Sequence, residues 1–179
     1  LEIDGGMGEG GGQILRTALA LSTLTKKPFR MTNIRKGRCN PGLKPEHLCC
    51  VEALQKMSGA SVEHAMLGST EIVFSPGKMK KGTYAFDIGT AGSITLVLQA
   101  LLLPCIFSEG KTRLKIKGGT DVKWSQPIDY FQQVFLPHLR RFALLELNLE
   151  LRGYYPKGGG KIDFTIKPKY AYEEFMNKK

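Results

Sequence analysis

The feature of this sequence that most constrains its fold is a repeat, in which one order of predicted elements occurs twice. Apolar spacing and Gly or Pro breaks in the first unit predict a strand, helix, strand, helix, strand and strand at 1–4, 13–25, 29–35, 45–59, 61–66 and 71–74. The same order returns at 84–88, 93–107, 113–117, 127–141, 145–151 and 161–166, a period of about eighty residues. The two helices of each unit can therefore cover one face of a four-stranded sheet.

The repeat predicts an α/β (α+β) fold of tandem βαβαββ modules, each with two helices on a four-stranded sheet. We place the first module at 1–82, the second at 83–168, and a tail at 169–179. A single interdigitated domain would also satisfy the pattern. The helix at 93–107 is apolar almost all round, which predicts that it is buried, as it would be between the modules.

Composition excludes disordered, fibrous and membrane-spanning proteins. The 179 residues are 42% hydrophobic and 23% charged, the ordinary balance of a globular protein. The longest apolar run, 96–107, contains Gln99 and Pro104 and is shorter than the roughly 20 residues of a transmembrane helix. Four cysteines, at 39, 49, 50 and 105, favour neither a zinc site nor a disulfide framework. With no recognisable signal peptide, we expect a reducing, cytoplasmic location.

The positive charge of the chain favours a polyanionic partner. The sequence carries 26 Lys and Arg against 16 Asp and Glu, a net charge of +10. Within 26–47 the charged residues are Lys26, Lys27, Arg30, Arg35, Lys36, Arg38 and Lys44 against Glu46 alone. Contacts of such residues with phosphates release condensed counterions and so favour nucleic-acid binding. The alternative is that the excess has no partner, since many basic proteins bind no polyanion.

A glycine loop between the first strand and the first helix resembles a nucleotide fingerprint. Residues 6–11 fit G-x-G-x-x-G, but a dinucleotide site also needs a carboxylate about twenty residues later, and 24–30 has none. The loop therefore predicts a more general oxyanion site at a helix N-terminus. Glu9 in this loop could hold a metal ion that bridges to phosphate. The alternative is a carboxylate that the helix dipole stabilises.

Two polar side chains on apolar helices are further candidates. Arg16 follows Gln13 by three residues, so it lies on the same face of the first helical turn and can point over the glycine loop. The alternative for Arg16 is a surface salt bridge. Gln99 lies in the middle of the apolar helix at 93–107, where a buried amide needs partners. It either satisfies backbone groups of the core or projects into a cleft toward a ligand.

Several blocks together resemble the RNA 3'-terminal phosphate cyclase family, in a version similar to its archaeal and eukaryotic members. The blocks are 8–16, 34–38 with 41–43 and 46–48, 90–93, 118–121 and 152–160. They occur in the family's order and spacing, and the resemblance covers nearly all of 1–168. It implies repeated modules like the C-terminal domain of translation initiation factor 3, in agreement with the repeat.

The resemblance also implies a reaction. ATP adenylylates an enzyme histidine, AMP passes to the 3'-phosphate of RNA, and the neighbouring 2'-hydroxyl attacks to form a 2',3'-cyclic phosphate with release of AMP. A divalent metal, Mg²⁺ or Mn²⁺, assists. Family members are about twice as long, and the nucleophilic histidine lies in a third module that this sequence lacks, together with a small inserted domain. We therefore expect an N-terminal portion that is inactive in isolation.

By the same resemblance, each candidate residue receives an expected role. Glu9 is the metal-side carboxylate, and Gln99 belongs to the ATP site. Residues near the RNA phosphate or the phosphates of ATP are Gln13, Arg16, Arg35, Arg38, Glu46 and His47. Other members commonly carry Gln-His at 46 and 47. Some members line the adenine with proline where this sequence has Gln126, followed by Pro127, so the stacking surface of the ATP site is expected to differ.

The histidines present offer a weak substitute for the missing nucleophile. Of His47, His64 and His138, only His47 lies near the basic loop, where a capping or phosphate-contacting role is the simpler interpretation. The partners expected from the resemblance are ATP and an RNA with a 3'-phosphate end. Two other functions stay open: a non-catalytic cyclase-like ribosome-biogenesis protein, and a plain RNA-binding module based on the basic segment 26–44. That segment has few aromatic residues for base stacking, only Phe29.

Overall fold

A computed structural model describes residues 1–177, and its first repeat unit forms a mixed four-stranded sheet with two helices. The elements are β1 (Glu2–Asp4), α1 (Gln13–Thr25), β2 (Phe29–Thr32), α2 (Pro45–Ser58), β3 (Ser61–Glu63) and β4 (Ile72–Ser75). The strand order is β1-β2-β4-β3, with β1 parallel to β2 and the other neighbours antiparallel. Pro45 begins α2, and Gly59 follows it in a left-handed conformation, as the sequence predicts.

The second unit repeats this arrangement. Its elements are β5 (Gly82–Asp87), α3 (Ile94–Ile106), β6 (Thr112–Gly118), α4 (Ile128–Tyr130), a π-helical segment (Phe131–Phe135), α5 (Leu136–Leu139), β7 (Ala143–Leu151), β8 (Gly160–Pro168) and α6 (Tyr172–Asn177). The order is β5-β6-β8-β7, again with only the first pair parallel. Two mixed sheets of identical strand order confirm the predicted fold class of tandem βαβαββ modules. The division into separate domains at 82/83 stays a prediction, as does the likeness to initiation factor 3.

The helices join the two units into one continuous core. Helices α1 and α2 both contact α3, and α3 also contacts β6 and β8 of its own sheet. Ten of the side chains of α3 are buried, which confirms the prediction made from its apolar sequence. The register of the second sheet places Leu114 of β6 opposite Phe164 of β8, and both are fully buried under the helices. The α1–α3 contact thus holds residues of both units close together.

Three predicted elements are wrong in extent, and the first is the strand predicted at 61–66, which ends at Glu63 because His64 has a φ of 60°. The strand predicted at 29–35 ends at Thr32, because Asn33 and Arg35 have φ values of 54° and 57° and turn the chain out of the sheet. The helix predicted at 127–141 is interrupted by the π-helical segment, where the Leu136 N–H donates to the Phe131 carbonyl five residues back. Pro137 follows directly and has no N–H to continue an α-helical ladder.

The structure also bears on the apolar run, the cysteines and the tail. Among the residues described, no helix is long and apolar enough to cross a membrane. All four cysteines are free thiols; Cys39 is exposed, whereas Cys49, Cys50 and Cys105 are buried. The predicted tail at 169–179 contains α6, whose Phe175 contacts the rings of Phe107 and Phe142, and its last two residues lie outside the described part.

Candidate active site

The glycine loop, α1 and the basic loop after β2 surround a cleft of about 580 Å³, here called the basic cleft. Its lining residues are Met7, Glu9, Gly11, Gly12, Gln13, Ile14, Arg16, Arg35, Arg38, Glu46, His47, Leu96 and Trp124. Seven residues singled out from the sequence, Glu9, Gln13, Arg16, Arg35, Arg38, Glu46 and His47, therefore lie together. They come from three separate chain segments, 9–16, 35–38 and 46–47, and three of the seven are arginines.

Close approach of two loops forms one wall of this cleft. Gly10 has a φ of 56°, and a Cβ there would lie 2.8 Å from the backbone nitrogen of Gly37. A side chain at position 10 would thus be strained and would push the basic loop away. The Asp4 carboxylate also joins the loops, accepting hydrogen bonds from the Gly6 N–H (2.9 Å) and from Asn33 (3.1 Å). The glycines are therefore required to bring Glu9 beside the basic loop.

Arg16 is the centre of the polar network. Its side chain is almost fully buried, and the guanidinium donates to three side-chain oxygens: Oε1 of Gln13 at 3.1 Å, Oε1 of Gln99 at 3.2 Å and Oε1 of Glu46 at 3.4 Å. Gln99 lies on α3, in the second repeat unit, whereas the other partners lie in the first. The alternative of a surface salt bridge for Arg16 is therefore wrong, because its carboxylate partner is buried with it.

Glu46 uses both carboxylate oxygens within the protein. Oε1 accepts from Arg16, and Oε2 accepts from the backbone N–H of Ser93 at 3.0 Å. Ser93 is the N-cap of α3, so this bond joins the start of α2 to the start of α3. Burial raises the pKa of Glu46, although Arg16 and the Ser93 N–H act in the opposite direction. Its contacts fit a residue that orients Arg16 and α3 more closely than one that binds substrate itself.

His47 is a buried, neutral imidazole at the floor of the cleft. Its Nδ1 accepts from the Lys44 N–H at 3.3 Å, which leaves the ring proton on Nε2. Nε2 faces the Cα of Gly12 so closely that a Cβ at Gly12 would overlap it. Burial lowers the pKa of His47 to about 3, and the positive charges of Arg16 and the basic loop lower it in the same direction. In the folded protein His47 is a hydrogen-bond donor without charge.

Arg35 and Arg38 present positive charge at the rim. Nη1 of Arg35 donates to the carbonyls of Asn40 (2.7 Å) and Gly42 (2.8 Å), which fixes the guanidinium against its own loop. Burial, and then the charge of Arg38, lower the pKa of Arg35. Arg38 forms an exposed ion pair with Glu9, with Nη2 and Oε2 3.2 Å apart. Exposed pairs of this kind contribute at most about 1 kcal/mol, so a phosphate or a cation can readily replace either partner.

A second cleft, of about 300 Å³, lies on the other side of Arg16 and is here called the apolar cleft. It is lined by Gln13, Arg16, Thr17, Gln99, Leu102, Leu103, Ile106, Phe135 and Leu139. Gln99 lines this cleft, and its Oε1 accepts a hydrogen bond from Nε of Arg16. This oxygen therefore does not pair with a backbone group of the core, which was one of the two alternatives for Gln99. Gln13 and Arg16 line both clefts, so a ligand spanning the two would pass beside the Arg16 guanidinium.

Gln126 and Pro127 lie at the end of the loop between β6 and α4. Within residues 1–177, neither lines the basic cleft or the apolar cleft. The Gln126 carbonyl accepts from Oγ1 of Thr95 on α3 at 2.9 Å, and Pro127 is an exposed residue just before α4. Their contacts give a structural role in holding this loop against α3. The role in the ATP site that the resemblance implies stays a prediction.

Two carboxylates line the basic cleft, and only Glu9 is exposed, because both oxygens of Glu46 accept hydrogen bonds within the protein. Among residues 1–177, no group of three His, Cys, Asp or Glu side chains is close enough together to hold a metal ion. The Glu9 side chain is 89% exposed at the cleft mouth, beside the arginines that would meet a phosphate. Mg²⁺ is commonly held by one or two carboxylates with substrate phosphates and water as its other ligands. Glu9 fits such a shared ion, and it does not fit a site built from protein ligands alone.

Trp124 also lines the basic cleft and was not predicted from the sequence as a site residue. It is the single tryptophan of the sequence, it lies in the loop between β6 and α4, and its side chain lines the cleft although it is 88% exposed. An apolar residue of this size in an otherwise polar loop was a usable signal. What could not be predicted is that this loop, more than eighty residues from Arg38 in sequence, lines the same cleft as the basic loop.

Comparison with known proteins decides the family. The family described as RNA 3'-terminal phosphate cyclase (RTC) matches residues 7–176. The chain belongs to this family. This confirms the resemblance noted in the sequence, and the matched region contains every residue that lines the basic cleft.

Relatives within the RNA 3'-terminal phosphate cyclase family are longer than this chain. The protein of that name from Ignicoccus hospitalis is 55% identical over 94% of this chain and 48% of its own length. The one from Archaeoglobus fulgidus is 53% identical over 94% of this chain and 52% of its own length. The one from Pyrococcus furiosus is 51% identical over 98% of this chain and 53% of its own length. The chain thus spans about half the length of the curated relatives it matches.

Proposed function

We propose that this chain supplies the phosphate-binding half of an RNA 3'-terminal phosphate cyclase. Such an enzyme converts the 3'-phosphate of an RNA into a 2',3'-cyclic phosphate and consumes ATP. The observation that carries the proposal is the basic cleft, where Arg16, Arg35 and Arg38 converge beside a glycine loop at the start of α1. Free cysteines fit a reducing compartment, and we propose the cytoplasm.

The proposed reaction transfers AMP twice. An enzyme histidine attacks the α-phosphorus of ATP and displaces pyrophosphate; the RNA 3'-phosphate then takes the AMP from the histidine. Finally the adjacent 2'-hydroxyl attacks the same RNA phosphorus, loses its proton and displaces AMP. Each step needs in-line positioning and neutralisation of phosphate charge more than it needs a protein base.

Five residues of the two clefts have a part in this proposal. Arg35 and Arg38 bind the RNA terminal phosphate at the rim, since guanidinium groups match phosphate oxygens in geometry. Arg16 lies where the two clefts meet and contacts the phosphate that links AMP to its partner. Gln99 and the apolar cleft take the nucleoside of ATP. A divalent cation at Glu9, Mg²⁺ or Mn²⁺, would neutralise phosphate charge when bound.

We also propose that the nucleophilic histidine is not among the three in this chain. The His47 ring is buried, its Nδ1 is bonded to Lys44, and Gly12 covers its Nε2. A nucleophile needs one accessible nitrogen. His64 lies after β3 and His138 lies on α5, and both are exposed. Neither is among the described residues that line the basic cleft.

An adenylylation assay tests whether the nucleophilic histidine lies outside this chain. The 179-residue chain and the longer Archaeoglobus fulgidus relative are incubated with Mg²⁺ and ATP labelled at the α-phosphate, and acid-labile protein-bound label is measured. We expect label on the relative and none on this chain. Stable, acid-labile label on this chain would show that it carries its own nucleophile and would overturn that part of the proposal.

End-specific binding tests the phosphate site. Fluorescence anisotropy compares a 5'-labelled RNA ending in a 3'-phosphate with the same RNA ending in a 3'-hydroxyl. We expect tighter binding of the phosphorylated end, and we expect Arg38→Ala to remove most of that preference. Equal affinity for both ends would contradict the proposal and would favour the plain RNA-binding module.

A further inference from the structure

Trp124 lines the basic cleft in an unfavourable backbone conformation. Its φ of 69° lies in the left-handed region, which a bulky side chain rarely adopts, and most of the indole is exposed to water. The loop around it is nevertheless tied down: Oγ of Ser125 donates to the Val122 carbonyl at 2.9 Å, and the Gly153 N–H donates to Oγ1 of Thr120 at 2.9 Å. Exposure of the indole and the left-handed backbone conformation both cost free energy.

The surroundings of the ring identify the chemistry of a ligand. The indole faces the cleft that contains Arg35 and Arg38, so a ligand there would carry negative charge and a flat apolar surface together. Nζ of Lys123 lies 5.0 Å from the ring centroid, which adds a further cation beside the aromatic face. Stacking rings combined with positive charge are the usual means by which proteins bind unpaired nucleotides.

We propose that Trp124 stacks on the base of the 3'-terminal nucleotide of an unpaired RNA end whose 3'-phosphate lies at Arg35 and Arg38. The inference rests on the proposed function and deepens it: the substrate class becomes RNA with a single-stranded 3' end. Lys123 would then contact the preceding backbone phosphate. Stacking is tolerant of base identity, so the site selects an unpaired end and not a sequence.

The structure favours an RNA base over the adenine of ATP as the occupant. Trp124 is not among the described residues that line the apolar cleft, which contains Gln99. Trp124 instead shares its cleft with the rim arginines, and those residues are the ones that would fix a 3'-phosphate. A base attached to that phosphate through its ribose would lie within one nucleotide of the rim.

The single tryptophan allows a direct measurement on the unmodified chain. Intrinsic tryptophan emission reports Trp124 alone, while anisotropy of a 5'-labelled RNA reports binding independently. The probes are a 3'-phosphorylated RNA, the same RNA with an abasic terminal nucleotide that keeps its 3'-phosphate, and ATP with Mg²⁺. We expect the intact RNA to quench the emission, the abasic RNA to bind without comparable quenching, and ATP to leave the emission unchanged.

Variants add a second readout. Trp124→Ala should weaken binding of the intact RNA by about tenfold or more, from the usual worth of one stacked base, and should leave affinity for the abasic RNA unchanged. Trp124→Phe should retain most of the affinity. Tyr155→Ala is the matched control, because it removes an exposed aromatic ring that is not among the described residues lining the basic cleft. This variant should bind the RNA like the wild type.

The outcomes separate this inference from the proposed function. If no 3'-phosphorylated RNA binds by anisotropy, the proposed function fails, and the inference fails with it. If the RNA binds with a preference for the 3'-phosphate but emission is unchanged and Trp124→Ala binds equally well, only the stacking inference is overturned. Quenching by ATP and not by RNA would also overturn it, because the adenine would then be the occupant.

Discussion

Replacing Gly12 with alanine should disrupt the site through one steric contact. Gly12 has φ −71° and ψ −10°, so alanine fits its backbone without strain. The added Cβ, however, would overlap Nε2 of His47 and lie 2.8 Å from its Cδ2 and 3.0 Å from Nη1 of Arg16. The His47 ring cannot retreat easily, because it is buried and bonded to the Lys44 N–H.

The size of this effect follows from overpacking. Forcing one methyl group into a filled, buried space typically costs about 1 to 3 kcal/mol of unfolding free energy. His47→Ala removes the obstructing ring, so Gly12→Ala should cost close to nothing in that background. The two substitutions should therefore be coupled by about 1 to 3 kcal/mol in a double-mutant cycle. Gly11→Ala is the control, since its Cβ would meet only the end of the exposed Arg38 side chain.

Urea unfolding followed by far-UV circular dichroism measures all four proteins of the cycle and the control. We expect Gly12→Ala to lower the midpoint clearly, Gly11→Ala to change the free energy by less than about 0.5 kcal/mol, and the double variant to recover the cost of the added methyl group. If Gly12→Ala is as stable as the wild type, or if its cost persists without the His47 ring, the assigned packing of His47 against Gly12 is refuted.

Two further predictions concern the buried polar groups. Glu46→Ala should destabilise the protein by about 2 to 3 kcal/mol, because it leaves the Ser93 N–H unpaired and removes an acceptor of Arg16, whereas Glu46→Gln should cost about 1 kcal/mol. Urea unfolding measures both, with the exposed Glu52→Ala on the same helix as control; equal stability of all three variants would contradict the assigned contacts. For His47, the folded pKa near 3 lies below the ordinary 6.5, so the unfolded chain takes up the proton first as the pH falls. Stability present above pH 6.5 should therefore be lost toward pH 3, by about 1.4 kcal/mol between pH 7.5 and 5.5; if His47→Gln showed the same loss, the titration would belong to another group.

Much of the fold could be predicted because local signals and the repeat agreed. The bounds of α1 and the start of α2 follow from apolar spacing and from Pro45, and the likeness of the two sheets follows from using the unit twice. The left-handed residues Asn33 and Arg35, which end β2 early, carry no signal of glycine or proline. The π-helical segment was equally hidden, since the five-residue bond of Leu136 depends on packing and not on sequence period.

The candidate site was only partly predictable for a different reason. Sequence spacing could place Arg16 near the glycine loop, because both lie at the start of one helix. It could not supply Gln99, 83 residues away, as an acceptor of Arg16, since that contact depends on how α1 packs against α3. Nor could it show that Glu46 reaches the start of α3 at Ser93. Tertiary packing, and not local pattern, decides which polar groups meet.

The position of Arg16 depends on how far α3 is shifted along its neighbouring helices, because α3 carries Gln99, a partner of Arg16, and begins at Ser93, a partner of Glu46. The bond from Arg16 to Gln99 spans two helices at 3.2 Å, close to the upper limit of a good hydrogen bond. Sliding α3 along α1 by one residue, a rise of about 1.5 Å, would break it while leaving both sheets intact. Apolar substitutions between these helices, far from any phosphate, can therefore misalign the guanidinium. A weaker affinity for phosphate in such variants, at unchanged stability, would indicate a displaced Arg16 and not a failure to fold.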